Sequence, residues 1–129
     1  LESKTVLTAP AVLDDQARQY RARSGECAVY FYQQPKIRLR AANYPVELFV
    51  DNRLYGITSY ETYLFFTRPA GNIRLGAYQF EMDLNCLSGK AYYIKVVEGW
   101  TVKEGESLAI ETDDAGIQAI SKRRLALSE

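Results

Sequence analysis

Between Cys27 and Thr112 the sequence alternates apolar and polar residues in short runs, and turn-forming residues interrupt it every roughly 8–12 positions with no helical period in between. This pattern constrains the fold more than any other feature of the chain. Strands this short cannot stand alone, and each must bury one face against a neighbouring layer. Residues 27–33 (CAVYFYQ) place Cys27, Val29 and Phe31 on one side and Ala28, Tyr30 and Tyr32 on the other. Residues 45–58 alternate Val46, Leu48 and Val50, turn at Asp51-Asn52 and run back through Leu54 to Thr58, a hairpin signal. Further strands are predicted at 62–67, 72–78, 80–86, 91–98 and 107–112, with turns at 68–72 and 88–90. The phase slip between Ala77 and Phe80 reads as a bulge or kink near Tyr78-Gln79. The basic alternation Lys36, Arg38, Arg40 reads as a guarded edge strand or an ordered loop. The sum is a mainly β chain: an antiparallel β-sandwich of about seven strands.

The period changes at both ends. Residues 1–13 read as an extended lead-in containing Pro10, and 14–24 as a short amphipathic helix capped by Asp14 or Asp15, with Leu13, Ala17 and Tyr20 a turn apart and Gly25 as its stop. A second helix is predicted over 114–127. Asp113 or Asp114 caps it, and Lys122-Arg123-Arg124 lies at the negative end of its dipole. The whole of 1–129 is then one domain, in the size range that buries its own core.

Charge and chemistry narrow the function. The 16 Lys+Arg balance the 16 Asp+Glu, so no net field draws the chain to nucleic acid. Histidine is absent, which removes Ser-His and Cys-His nucleophilic pairs and histidine metal sites together. Cys27 and Cys86 have no CxxC spacing and no further partners, which argues against a zinc or iron–sulfur site. They are either a disulfide, closing a loop of about 60 residues and marking an oxidising compartment, or two core thiols. No run reaches the roughly 20 apolar residues of a membrane-spanning helix. The chain starts at Leu1-Glu2 without an initiator Met, and reads as either a trimmed chain or a processed mature form.

Carboxylates are the remaining acid–base equipment. Glu81 and Asp83 share one side of a strand, as a glycan hydrolase pair would, but they lie opposite the apolar Phe80-Met82-Leu84 face, where solvated surface is the simpler reading. Asp113-Asp114 read as a helix cap and Asp51 as a turn residue. A calcium site from Glu111, Asp113 and Asp114 has no matching loop spacing. Ser88 and Lys90 flank a turn glycine and carry no phosphate-loop spacing. No catalytic residue, cofactor or metal ligand is therefore expected.

The aromatic residues carry more. Of 10 tyrosines and 5 phenylalanines, Tyr55, Tyr60, Tyr63, Phe65 and Phe66 lie within a dozen positions, and both faces of the 62–67 strand are apolar or aromatic. Either a terminal helix covers the outer face, which is the leading expectation, or the cluster is an exposed patch that binds a partner.

The succession CAVYFYQQP, VELFVDNRLYGIT, TYLFFTRPAGNIRL and LSGKAYYIKV, spanning about residues 25–112, resembles a family of bacterial envelope proteins, many of them lipoproteins, known as domain of unknown function 2846. The motifs are strand and turn patterns shared with transthyretin-like and PEGA-like sandwiches. The resemblance implies a periplasmic or outer-membrane-associated β-sandwich, tethered if at all by a lipid on a removed N-terminus, since no lipobox cysteine is present. Asn52-Arg53 replace the glycine typical of the family's hairpin, which suggests a loop of three or more residues. The expected function is non-enzymatic contact with an unidentified protein partner; the alternatives are a periplasmic inhibitor or immunity-type protein and a carboxylate glycan hydrolase.

Overall fold

Two sheets pack face to face, because each alternating strand presents one apolar row that only another apolar layer can cover. The computed structural model describes residues 6–21, 23–35, 45–98 and 108–128. Its strands are β1 (Glu26–Pro35), β2 (Val46–Val50), β3 (Arg53–Thr58), β4 (Thr62–Pro69), β5 (Gly71–Ala77), β6 (Phe80–Cys86), β7 (Ala91–Glu98), β8 (Leu108–Glu111) and β9 (Arg124–Leu125), with helices α1 (Ala11–Arg18) and α2 (Asp113–Ser121). One sheet has the order β8-β7-β1-β4-β9 and the other β3-β2-β5-β6. The fold is the β-sandwich with flanking helices that the sequence predicts, with nine strands among the described residues.

Between the sheets lies an aliphatic core. Cys27, Val29 and Phe31 of β1, Leu64 and Phe66 of β4, and Ile94 and Val96 of β7 meet Val46, Leu48, Ile73, Leu75 and Leu84 of the four-stranded sheet, all buried. The outer face of the five-stranded sheet carries a second cluster, in which Tyr30, Tyr32 and Tyr63 are buried with Ala17 of α1 and Ile120 of α2. Both faces of this sheet are therefore covered, and the terminal helices provide the outer cover.

Several local expectations are corrected. The strands are not all antiparallel: β1 pairs with β7 in parallel, and β9 with β4. Hairpin signals specify only consecutive strands, and β1 meets β7 after the chain has built the other sheet. Tyr78-Gln79 is not a bulge but a two-residue turn, since Ala77 faces Phe80 and the register then runs unbroken to Gly71 and Cys86. The bulge lies on β3, where Leu48 faces Gly56 and Phe49 faces Leu54, leaving Tyr55 as the extra residue. The hairpin at Asp51-Asn52 has two loop residues, not three or more, because both adopt positive φ (50° and 68°), as Asp and Asn do in place of glycine in a type I′ turn.

The helices also shift. Helix α1 begins at Ala11 because the Pro10 carbonyl already accepts from the amides of Leu13 (3.0 Å) and Asp14 (3.2 Å). It ends at Arg18, so Tyr20 leaves the helix and packs edge-on to Phe65. Thr112, not Asp113 or Asp114, caps α2, its Oγ1 accepting from the Ala115 amide at 3.3 Å. Helix α2 stops at Ser121, short of 127, because the tail becomes a strand: the amides of Arg124 and Ala126 donate to the carbonyls of Glu61 (2.9 Å) and Tyr63 (2.8 Å). The lead-in then pairs with this tail through Thr8 and Ala126. The 36–40 segment lies outside the described residues. No helix among them is long and apolar enough to cross a membrane.

Candidate functional site

Cys27 of β1 and Cys86 of β6 form a disulfide, with Cα atoms 5.8 Å apart. Both are buried, and the bond ties one sheet to the other through the core.

The five aromatic residues singled out as a patch do not make one. Alternation sends Tyr63 and Phe65 to the helix-covered side and Phe66 into the aliphatic core, where its ring centroid lies 4.9 Å from that of Tyr55. Tyr63 and Phe66 are buried, and Tyr55, Tyr60 and Phe65 are half-buried. The Tyr55 hydroxyl donates to the Phe65 carbonyl at 2.8 Å. Closeness in sequence therefore spreads these rings over β3, the turn that follows it and both sides of β4 rather than over one surface.

On the covered side the rings are held by polar contacts as well as by packing. Tyr30 stacks on Tyr93 (4.8 Å, 8°) and its hydroxyl donates to the Ala17 carbonyl at 2.5 Å. The Tyr63 hydroxyl donates to Asp14 of α1, with the Arg18 guanidinium 5.3 Å from the Tyr63 ring centre. Arg123 lies 5.1 Å from the Tyr32 ring centre and donates to the carbonyls of Ala119 (2.7 Å) and Gln33 (3.0 Å). Burial pushes the Tyr32 phenol up to about 12, and raises Tyr30 and Tyr63 as well; at Tyr63 the carboxylate of Asp14 adds to the effect. These phenols are protonated structural groups.

The carboxylate pairs are likewise committed. Arg74 of β5 donates to Glu81 (Nε to Oε1, 2.9 Å) and to Asp83 (3.1 Å), and both carboxylates are more than half exposed. Asp113 and Asp114 lie in the first turn of α2, and Glu111 pairs with Lys95 at 2.7 Å, which lowers its carboxyl below the usual range. No three Cys, Asp or Glu side chains converge to hold a metal among the described residues. Ser88 accepts the Gly25 amide at 2.6 Å and so belongs to the turn.

The outer face of the four-stranded sheet is different. At its hairpin end Phe49, Gly76 and Glu81 form a row across β2, β5 and β6. Gly76 leaves a gap in that row, and Asn52, Arg74, Tyr78 and Phe80 close a cleft of about 150 Å³ around it. Phe49 is 37% exposed and Tyr78 48%. Tyr78 holds φ at 56°, in the left-handed region that a bulky side chain rarely adopts. Asp51 anchors the neighbouring turn by accepting the Arg74 amide at 3.0 Å and pairing with Arg68, and these bonds lower its carboxyl. The sequence reading missed this cleft. Its residues come from three strands: the two-residue turn in Ala77-Tyr78-Gln79-Phe80 signals Gly76 opposite Glu81, whereas Phe49 joins the row only through the non-local β2–β5 pairing.

Comparison with protein-family models, curated proteins and solved structures returns no match.

Proposed function

We propose that this chain is a non-enzymatic module of the bacterial cell envelope, periplasmic or outer-membrane-associated, that works by contact with a partner protein through the outer face of its four-stranded sheet. The observation that carries the reading is the asymmetry of cover: helices seal the outer face of one sheet, while the other exposes Phe49 and Tyr78 beside a cleft. Exposed rings on a rigid strand scaffold offer large contact area at low entropic cost. The Cys27–Cys86 disulfide supports an oxidising compartment, and the strand and turn motifs shared with envelope proteins support the same placement.

The test is photo-crosslinking in living cells from benzoyl-phenylalanine placed at position 49 or 78, with position 117 on α2 as the control. A discrete protein adduct from 49 and 78 and none from 117 is the expected result. Absence of an adduct from both, or equal labelling from all three, overturns the reading. An adduct formed with a single enzyme selects the inhibitor variant of it. Alkylation of acid-quenched cells checks the compartment, since two free thiols would contradict it.

A further inference from the structure

We propose that the partner adds an extended segment of its own chain to the edge of β6, as a fifth strand of the four-stranded sheet, an inference that rests on the contact function above. Among the described residues β6 pairs only with β5. The two-residue turn at Tyr78-Gln79 makes Ala77 and Phe80 a hydrogen-bonded pair, and antiparallel ladders alternate, so Leu75 with Met82 and Ile73 with Leu84 are hydrogen-bonded pairs too. The intervening residues Glu81, Asp83 and Asn85 therefore aim their amides and carbonyls away from β5. The Asn85 carbonyl accepts from the Tyr92 hydroxyl at 3.2 Å. The amides and carbonyls of Glu81 and Asp83 form the open part of the edge.

The opposite flank of the sandwich is closed by the chain's own ends, Thr8 bridging to Ala126 beside β9 and Ser128 bridging to Gly56 of β3. No such bridge reaches β6 among the described residues. Edges that must stay single are blunted by short length, proline, lysine or a bulge. Strand β6 runs seven residues without proline or lysine, its register with β5 is unbroken, and its two acids are tied to Arg74 of β5. The core is also left open on this flank. Ile110 of β8 lies opposite Ile94 and so points to the core side, yet it is 52% exposed, and β8 passes within 8 Å of β6. Met82 is only half-buried. The segment that fits alternates apolar residues, set beside Met82 and Leu84, with neutral or basic ones, because an acid directly opposite Glu81 or Asp83 would be repelled. The same repulsion disfavours a second copy of this chain. Centred on the open part of the edge, it would set Asp83 against Asp83 or Glu81 against Asp83.

The experiment follows backbone amides of the full chain by NMR. In the free protein the amides of Glu81 and Asp83 should exchange with solvent much faster than those of Met82 and Leu84; equal protection of all four overturns the inference, because the edge would already be paired. Titration then uses acetyl-Thr-Val-Thr-Val-Thr-amide, the same peptide N-methylated at its threonines, and acetyl-Glu-Val-Glu-Val-Glu-amide. Saturable shifts and slowed exchange at Glu81 and Asp83 are expected with the first, and binding roughly tenfold weaker with the second, which lacks the main-chain donors. The glutamate peptide should bind more weakly than the threonine one. Asp83→Pro removes an outward amide and leaves the bonds to β5 in place, so it should weaken the threonine peptide about tenfold while amides of α2 stay unmoved; Asp83→Asn, which keeps the amide, should not weaken it. Equal binding of the threonine peptide and its N-methylated form, or no saturable shift at Glu81 and Asp83, overturns the inference. Crosslinks from positions 49 and 78 that keep their full yield in Asp83→Pro remove only the added strand; absence of crosslinks in the unaltered chain removes the contact function as well.

Discussion

The two sheets of this sandwich share one core and treat their outer faces in opposite ways. On the five-stranded sheet, Tyr30, Tyr32, Tyr63 and Tyr93 stand where an ordinary solvent face would carry charged residues, and α1 and α2 cover them. On the four-stranded sheet the corresponding layer is Glu47, Phe49, Arg74, Glu81 and Asp83, with no helix over it among the described residues. The difference shows what the tyrosines do. A tyrosine ring buries as much area as a phenylalanine while its hydroxyl reaches a helix carbonyl or carboxylate, so the same residue both packs the outer layer and attaches the helices. Abundant tyrosine therefore reports a sealed face here, and the few exposed rings on the other sheet are the exception that a partner would use.

The contrast can be broken most severely at Tyr63. Tyr63→Ala empties a buried site and releases Asp14, and should cost about 4 kcal/mol of unfolding free energy in urea melts. A cost under about 1 kcal/mol would mean that the helix layer is not part of the cooperative fold. Alkaline pH attacks the same layer. The unfolded phenol loses its proton near 10, whereas burial holds the folded phenols of Tyr30, Tyr32 and Tyr63 protonated above that. Their contribution is thus complete below about pH 10 and is lost as pH rises towards 12, by up to about 1.4 kcal/mol per pH unit for each phenol. Urea midpoints should hold from pH 9 to about 10 and fall steeply above that, less steeply in Tyr32→Phe.

A smaller effect is expected at Gly116, whose missing Cβ would lie 2.2 Å from Cγ of Tyr93. Gly116→Ala should destabilise the protein by about 2 kcal/mol through displacement of α2. At an unobstructed helix position the same change would stabilise by roughly 1 kcal/mol, so the sign alone decides. The smallest effect belongs to the open face: Glu81→Gln should move the melting temperature by less than about 2 °C, because an exposed ion pair adds little to stability.

Much of this architecture was legible in the sequence. Alternation in residues 27–33 separates Cys27, Val29 and Phe31 from Tyr30 and Tyr32 by face, and the two groups lie in different layers of the structure. The double-sided apolar character of residues 62–67 pointed to a helical cover, which α1 and α2 provide. What period cannot express is long-range pairing. The β1–β7 contact is parallel and joins residues about as far apart as the disulfide, whose two cysteines are separated by 59 positions. The tail misled for a related reason: Leu125 and Leu127 fit a helical stripe poorly, but only the free edge of β4 makes residues 124–125 a strand. The cleft was hidden because the turn at Tyr78-Gln79 sets only Gly76 against Glu81, and Phe49 becomes their neighbour through the non-local pairing of β2 with β5.

The central claim is that one outer face is sealed by the protein itself and the other by a partner. Hydroxyl-radical footprinting of the purified chain and of the same chain in intact cells tests it directly. In the purified protein Phe49 and Tyr78 should oxidise readily, while Tyr30, Tyr32 and Tyr63 stay protected. In cells Phe49 and Tyr78 should become protected too, while exposed Ile117 on α2 keeps its reactivity. Equal oxidation of Phe49 and Tyr78 in the two settings would contradict the account.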